Sequence, residues 1–354
     1  MNDVPLPILD PAALDHAAAV HADTLVLDSH IDIPWPASSS GAFADETRRC
    51  VDLPKMRRGG VAAGCFAAFI PQGRLDPAAH ADAFARATTM LSAIRTMGGA
   101  NARVASSADA IEAAWRDGVP AVVPCVENGH AIGGDVANLA ALRDLGAVYL
   151  TLTHNGHNAL ADSSVPRADL GDGPSLHGGL SALGRDAVAE MNRLGLMLDV
   201  AHLGRAAMVE AAELSRSPVL STHSCARALC DHPRNLDDGQ LDIVRDVGGT
   251  VQITTVSAFL RAGAKPVAVT VDDILDHVDY VARRIGVDHV GIGSDFDGGG
   301  SVGGWRHAGE SVAITAGLLA RGYDRHAIGL IWGGNFLRVL RACEAVAVAV
   351  AGRS

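Results

Sequence analysis

The sequence has few cysteines and little positive charge, and each shortage excludes a class of protein. Its 6 cysteines are scattered over 354 residues, without the CxxC spacing of a structural zinc site or the density of a disulfide scaffold. We therefore expect reduced, mostly buried thiols and a cytoplasmic protein. The 40 acidic residues exceed the 29 lysines and arginines, for a net charge of −11. This excess argues against nucleic acid or an anionic membrane surface as a partner.

Long apolar runs are absent as well. No stretch reaches the roughly 18 to 20 apolar residues that a membrane helix needs. Residues 1–4 do not begin a cationic region followed by an apolar stretch, so we expect no secretory signal. The chain does have 48% hydrophobic and 19% charged residues, which is enough for a sizeable core and excludes disorder for its bulk.

Short apolar runs rich in β-branched residues alternate with segments of helical periodicity. The runs cover residues 24–32, 61–70, 121–127, 148–154, 196–202, 219–223, 250–255 and 289–295. Helical spacing is found over residues 82–97, 135–145, 182–194, 205–214, 237–247 and 270–285. Apolar strands that alternate with helices are typical of parallel sheets buried on both faces.

Eight such units predict an α/β fold, a (β/α)8 TIM barrel. We expect one domain over residues 1–354, with an N-terminal helical extension and a C-terminal helix. A doubly wound open sheet is the alternative. The glycine-rich phosphate turn that should follow its first strand is missing, however, and residues 28–32 read DSHID instead.

Six of these runs end on an imidazole or a carboxylate, and a further histidine lies two residues before the end of the first run. These residues are His30, Asp32, Glu127, His154, His202, His223 and Asp295. Because the C-terminal ends of barrel strands meet at one mouth, we expect these side chains to lie together. Taken singly, Glu127 could form a salt bridge and His202 or His223 could be core histidines. As a set they suit Zn²⁺ and related ions, and they are too many for one ion.

These residues lie within a series of short motifs. In chain order the motifs are DSHIDIPW (28–35), VDLP (51–54), VENGH (126–130), YLTLTHN (149–155), LDVAH (198–202), STHS (221–224), PRN (233–235), GSDFDG (293–298) and GNFLR (334–338). As a set they resemble the membrane (renal) dipeptidase family, binuclear zinc peptidases among the amidohydrolase-like barrels. Asn128 stands where that family often has glycine, and Ala201 where it often has serine. Neither replaces a metal ligand. We expect an unanchored, bacterial type of member.

The resemblance implies a set of metal ligands. His30 and Asp32 would hold one zinc ion, and His202 and His223 would hold the other. Glu127 and a hydroxide would bridge the two Zn²⁺ ions. Two cations held roughly 3.5–4 Å apart need such a shared anion, and a water shared between them becomes acidic enough to supply hydroxide near neutral pH.

The resemblance also implies residues for catalysis and substrate binding. His154 would contact the scissile carbonyl oxygen and stabilise its developing negative charge. Asp295 would take a proton from the bridging water and deliver it to the leaving amine. Arg234 would bind the free C-terminal carboxylate of the substrate through its planar guanidinium. Without the resemblance, Arg234 would be expected on the exposed surface.

Together these features predict a binuclear zinc dipeptidase that hydrolyses dipeptides, including those with a C-terminal D-residue, by direct hydroxide attack. A nucleophilic serine or cysteine is disfavoured, because no Gly-x-Ser-x-Gly elbow appears and no cysteine lies with the histidines. Two alternatives remain. One is another binuclear-metal hydrolase of the same barrel type, acting on an N-acyl amino acid, a lactone or a phosphoester. The other is a non-catalytic metal-binding barrel. The expected partner is a small dipeptide, and the sequence leaves a homodimer open.

Overall fold

The computed structural model describes residues 11–35, 43–263 and 268–352. Its strands are Leu27–Asp32 (β1), Ala63–Phe69 (β2), Arg103–Val104 (β3), Ala121–Glu127 (β4), Tyr149–Thr151 (β5), Met197–Asp199 (β6), Leu220–Ser224 (β7), Thr250–Ile253 (β8) and Val290–Ile292 (β9). All pair in parallel in the order β1-β2-β4-β5-β6-β7-β8-β9, and β3 lies beside the start of β4. Residues 1–4, on which the expectation about a signal segment rests, lie outside the described residues.

The segment after β9 returns to β1 and nearly closes the sheet. The Asp295 N–H donates to the His30 carbonyl at 3.0 Å, and the Asp32 N–H donates to the Phe296 carbonyl at 2.9 Å. Eight parallel strands with helices between them therefore form a (β/α)8 barrel, as the sequence predicted. The C-terminal ends of these strands define its mouth.

Helices alternate with the strands as the periodicity indicated. The α-helices are Pro11–Ala22, Leu53–Arg58, Pro77–Thr96, Ala108–Arg116, Asn138–Asp144, Ala182–Leu194, Arg205–Leu214, Asp238–Asp246, Ser257–Leu260, Val271–Ile285, Val312–Ala320, Arg325–Gly329 and Asn335–Ala351. Two of the predicted segments, 182–194 and 205–214, match to the residue. The helix expected at 82 begins at Pro77, because the Asp76 side chain caps it and proline suits the first turn. The extent of the domain stays a prediction.

Several strands are shorter than the apolar runs that predicted them. The run over 148–154 contains only β5, and the run over 196–202 contains only β6. Burial continues after the strand hydrogen bonds end, so hydrophobicity overestimates strand length. As a result His154 and His202 lie three residues past their strands, in loops. The two-residue strand β3 was not predicted, because it is too short to show a pattern.

Alternate residues of the strands face opposite sides of the sheet. One set forms a continuous cluster with residues of most strands: Leu27, Cys65, Val123, Tyr149, Met197 and Leu220. The other set packs with the surrounding helices. All 6 cysteines are free, and all but Cys50 are buried, which confirms the expectation for the thiols. In the part of the chain that is described, no helix has the length and apolar character needed to cross a membrane.

Candidate active site

Glu127 is the centre of the side chains that meet at the barrel mouth. It ends β4 and is only 3% exposed. Its Oε1 lies 3.2 Å from Nε2 of His202, 3.4 Å from Nε2 of His223 and 4.0 Å from Nε2 of His154. Its Oε2 lies 3.7 Å from Nε2 of His30. The two oxygens of one carboxylate thus face imidazoles on different sides of the mouth.

Asp32 and Asp295 approach the same site from β1 and from the loop after β9. Oδ1 of Asp32 lies 3.6 Å from Nε2 of His30 and is buried without a hydrogen-bond partner. Gly298 shows how closely the two carboxylates converge. A Cβ atom there would lie 2.3 Å from Oδ1 of Asp295 and 2.7 Å from Oδ2 of Asp32. Only glycine leaves space for both groups at this position.

The hydrogen bonds of His30 fix which ring nitrogen carries the proton. Its Nδ1 lies 2.8 Å from the Tyr149 hydroxyl, which itself donates to the Ser29 carbonyl at 3.1 Å. The hydroxyl must therefore accept from His30, and the proton is on Nδ1. Nε2 of His30 is buried, has no hydrogen-bond partner and faces Glu127, so it is the ring atom open to a metal ion.

The same reasoning applies to the other two buried imidazoles. Nδ1 of His202 lies 3.2 Å from the amide oxygen of Asn155, which can only accept. Nδ1 of His223 lies 2.8 Å from the Thr222 hydroxyl, whose proton is donated to Asp199. Burial lowers the pKa of both rings and favours their neutral forms, in which a proton on Nδ1 leaves none on Nε2, although the two Nε2 atoms lie only 2.9 Å apart. Two lone pairs this close repel one another unless a cation lies between or beside them.

The donor set fits divalent metal ions. Zinc binds imidazole nitrogen and carboxylate oxygen at about 2.0–2.2 Å, so neighbouring ligand atoms of a tetrahedral site lie about 3.3 Å apart. The separations from Glu127 to the imidazoles of His30, His202 and His223 are close to this value. Two groups of possible metal ligands share Glu127, and within each group the ligand atoms all lie within 4.8 Å of one another. One group contains His30 and His223, and the other contains His154 and His202.

All five expected ligands lie together, but distance alone does not divide them between two ions as the resemblance does. Asp32 belongs to neither of the two groups, whereas His154 belongs to one. Among the described residues, four that are not glycine have positive φ: Asn128, His202, Asp295 and Asp297. All follow strand ends at the mouth. Strain of this kind clusters at functional sites.

Charge divides the mouth into two environments. Burial lowers the pKa of His30, but Glu127 and Asp32 outweigh burial and raise that pKa well above the usual range. Burial lowers the pKa values of His202 and His223 well below the usual range, and the nearby Arg234 contributes to both shifts. The carboxylates of Glu127 and Asp32 thus stabilise a positive charge at His30. Either a proton on the ring or a metal ion beside it can provide that charge.

Arg234 is buried, contrary to the surface position expected without the family resemblance. It is 3% exposed, and its Nη2 donates to the His223 carbonyl at 3.1 Å. Its guanidinium lies over the Phe259 ring, 5.4 Å from the centroid. Its Nε has no partner, and it forms no salt bridge within the described part of the chain. Burial lowers its pKa to about 10, against the attraction of Glu127 and Asp295.

His154 lies at the opening of the site. Its side chain is 25% exposed, and its ring lies between Phe69, at 4.7 Å, and His202, at 4.2 Å between centroids. Burial lowers the pKa of His154, which favours the neutral imidazole. For Asp295 the direction is opposite, since burial raises the pKa of its carboxyl well above the usual range and the nearby carboxylates of Asp32 and Glu127 add to that shift.

Sequence reasoning missed the residues that support the ligands. Tyr149, Asn155, Thr222 and Asp199 all lie inside the motifs that carry the family resemblance, so their positions were visible although their roles were not. Asp297 is the second acidic residue of the GSDFDG motif. Its carboxylate accepts from the backbone N–H groups of Cys50 at 2.8 Å and Val51 at 3.2 Å.

Comparison with known proteins identifies relatives that align with about two thirds of the chain. The chain is 37% identical over 250 residues to a protein named dipeptidase tcpJ from Claviceps purpurea, which covers 70% of this chain and 57% of the relative. It is also 37% identical over 227 residues to dipeptidase aclJ from Aspergillus oryzae, covering 64% and 52%. The chain thus spans a little over half the length of these curated relatives.

Solved structures match over more of their length. The probable dipeptidase PvdM of Pseudomonas aeruginosa has a TM-score of 0.90 at 27% identity, covering 96% of this chain and 100% of that one. A metallo peptidase of Rhodobacter sphaeroides, liganded with a phosphinate mimic of the dipeptide L-Ala-D-Ala, has a TM-score of 0.80 at 29% identity, covering 91% and 100%.

The family model described as membrane dipeptidase, peptidase family M19, matches residues 14–354. This match extends over nearly the whole sequence, including every strand of the barrel and every side chain of the site. The chain belongs to the membrane dipeptidase family.

Proposed function

We propose that this protein is a zinc-dependent dipeptidase with two metal ions at the barrel mouth, and that dipeptides with a C-terminal D-residue are among its substrates. The observation that carries the proposal is the arrangement of the Nε2 atoms of His30, His202 and His223 around the two oxygens of Glu127, beside a buried arginine that lacks a carboxylate partner among the described residues.

His30 and Asp32 would hold one ion, His202 and His223 would hold the other, and Glu127 would be shared between them, as the family resemblance implies. The bound ions supply Lewis acidity and a water of lowered pKa. The protein contributes a fixed proton on each Nδ1, so that every Nε2 is available as a ligand. It also contributes carboxylates that balance the charge of the ions.

Arg234 binds the terminal carboxylate of the dipeptide. A buried guanidinium with an unpaired Nε is costly unless an anion completes it, and a substrate carboxylate can do so in bidentate fashion. Fixing the carboxylate does not require a particular configuration at the adjacent carbon. The L-Ala-D-Ala mimic bound by the Rhodobacter sphaeroides relative supports acceptance of D-residues here.

His154 and Asp295 act on the peptide bond itself. His154 lies beside Glu127 at the open side of the site, where its Nε2 can donate to the carbonyl oxygen of the scissile bond. Asp295 accepts a proton from the attacking water on a carboxylate oxygen and delivers it to the amine nitrogen that leaves. Its neighbour Gly298 keeps space for that carboxylate beside Asp32.

The test compares wild type and Arg234→Met, both loaded with zinc, on free and C-terminally amidated L-Ala-D-Ala. Arg193→Met is the matched control, because it removes an exposed arginine that pairs with Glu190 away from the mouth. We expect amidation and Arg234→Met each to lower kcat/KM by about 10²-fold or more, with the metals retained.

Chelation should abolish hydrolysis and added Zn²⁺ should restore it. Absence of dipeptide hydrolysis by a protein that holds two zinc ions would contradict the proposed activity. If amidation costs Arg234→Met as much as it costs the wild type, Arg234 is not the carboxylate-binding group, whatever the activity.

A further inference from the structure

Asp199 is a buried carboxylate that the proposed reaction does not use. It ends β6 and is 0% exposed. It accepts hydrogen bonds from the Thr151 hydroxyl at 2.5 Å, the Thr222 hydroxyl at 2.7 Å, and the backbone N–H groups of Thr222 and Ala201 at 3.0 Å. Among the described residues no lysine, arginine or histidine forms a salt bridge with it. Burying a carboxylate without a cation is destabilising, so we expect Asp199 to serve a function at this position.

The Thr222 hydroxyl connects this carboxylate to the metal centre. It donates its proton to Oδ2 of Asp199 and accepts the Nδ1 proton of His223 at 2.8 Å. Nε2 of His223, on the other side of the ring, faces Oε1 of Glu127 at 3.4 Å. A continuous path therefore runs from a carboxylate through a hydroxyl and an imidazole to the metal-facing nitrogen.

The other two imidazoles have neutral supports. The Nδ1 proton of His30 goes to Tyr149, whose own proton goes to a backbone carbonyl. The Nδ1 proton of His202 goes to the amide oxygen of Asn155. Only the support of His223 ends on a carboxylate. This difference matters because a hydroxyl that donates to an anion becomes a stronger acceptor.

We propose that Asp199 and Thr222 are positioning residues that set the affinity for the cation held by His223, a role that rests on the proposed function. The carboxylate polarises the hydroxyl, the hydroxyl holds the Nδ1 proton, and Nε2 becomes a better donor in a fixed orientation. Groups that orient metal ligands in this way are typically worth 10–100-fold in metal affinity.

Three substitutions test the path without altering a ligand. Thr222→Val is nearly isosteric and removes the hydroxyl that joins Asp199 to His223. Thr222→Ser keeps that hydroxyl and should rescue the effect. Thr151→Val is the matched control, because it removes another hydroxyl from the same Oδ2 of Asp199 but does not touch an imidazole. Each valine variant therefore removes one hydroxyl that donates to Oδ2 of Asp199.

The readout is metal binding by the metal-free protein. Zn²⁺ is titrated in competition with a chromophoric chelator, and Co²⁺ is titrated while its d–d absorption is recorded. In Thr222→Val we expect one of the two cations to bind about 10–100-fold more weakly, with a changed Co²⁺ spectrum for that site only. Thr222→Ser and Thr151→Val should bind both cations like the wild type.

The inference is overturned if Thr222→Val binds both cations with wild-type affinity, or if Thr151→Val weakens binding as much as Thr222→Val does. A wild type that binds fewer than two cations would instead refute the proposed metal centre, and the inference with it. The wild-type titration therefore separates failure of the proposed function from failure of the role of Asp199.

Discussion

The two sides of the barrel mouth contain the same kind of residue in opposite surroundings. On the acidic side, His30 lies beside Asp32, with Asp295 close by. On the other side, the backbone carbonyl of His223 accepts from the buried guanidinium of Arg234. The rings of His30 and His223 are only 4.0 Å apart between centroids. Even so, the pKa of His30 is raised and the pKa of His223 is lowered.

Because of this difference, two metal ions bound as proposed would not be equivalent. A cation on the acidic side is balanced directly by carboxylates. A cation on the imidazole side would share the charge of Glu127. The other carboxylate that acts on this side is Asp199, which is connected to His223 through the Thr222 hydroxyl. Because coulombic attraction is strong in a buried site, we expect different affinities on the two sides.

Glu127→Gln should weaken metal binding on both sides of the mouth, because Glu127 faces imidazoles on both sides. A neutral amide cannot balance two cations, so both should bind at least about 100-fold more weakly, and turnover should fall by at least about 10⁴-fold. His223→Ala, by contrast, should mainly deplete one site. Metal analysis of the two purified variants measures this. Full double occupancy in Glu127→Gln would contradict the bridging role.

Asp295→Asn tests whether the acidic side also supplies the group that transfers the proton. We expect both metals and the fold to be retained while turnover falls by about 10²–10⁴-fold, the usual contribution of a general acid–base group. Asp297→Asn is the matched control, because Asp297 accepts from the backbone N–H groups of residues 50 and 51 and the amide oxygen keeps one of these two hydrogen bonds. Loss of metal together with activity in Asp295→Asn would show that Asp295 is a ligand instead.

The smallest predicted effect concerns the loop that carries Arg234 on the imidazole side. His277 holds this loop, since its Nδ1 accepts from the Ala226 N–H at 3.0 Å and its Nε2 donates to the Leu260 carbonyl at 3.0 Å. Burial lowers its pKa in the fold below the ordinary 6.5, although the Leu260 carbonyl opposes this. The unfolded chain therefore binds the proton more readily, and stability falls as the pH drops through about 6.5.

The measurement is the difference in melting temperature between wild type and His277→Gln at pH 7.5 and pH 5.5. The advantage of the wild type should shrink toward pH 5.5, because the unfolded chain takes up the proton there more readily than the fold does. Contributions of other histidines and of metal release are common to both proteins and cancel in the difference. A difference that grows as the pH falls would mean that His277 is protonated in the fold.

Much of the fold was predictable because it is encoded locally. Apolar runs and helical spacing are properties of neighbouring residues, so helix 182–194 and helix 205–214 were located to the residue. Strand lengths were predicted wrongly where an apolar run continues beyond the strand hydrogen bonds. The run over 196–202 is buried throughout, yet the strand ends at Asp199, because the chain there turns and gives His202 a positive φ.

The sequence alone determined the barrel, the family and the set of polar residues that meet at the mouth, because strand ends converge in any such barrel. Only the tertiary structure decided what each residue faces. Arg234 is buried without a carboxylate partner, and His30 meets Tyr149 from 119 positions away. Asp199 reaches His223 through a threonine on the neighbouring strand. Such contacts depend on strand register and side-chain packing, which join residues distant in the chain and leave no periodic trace in its sequence.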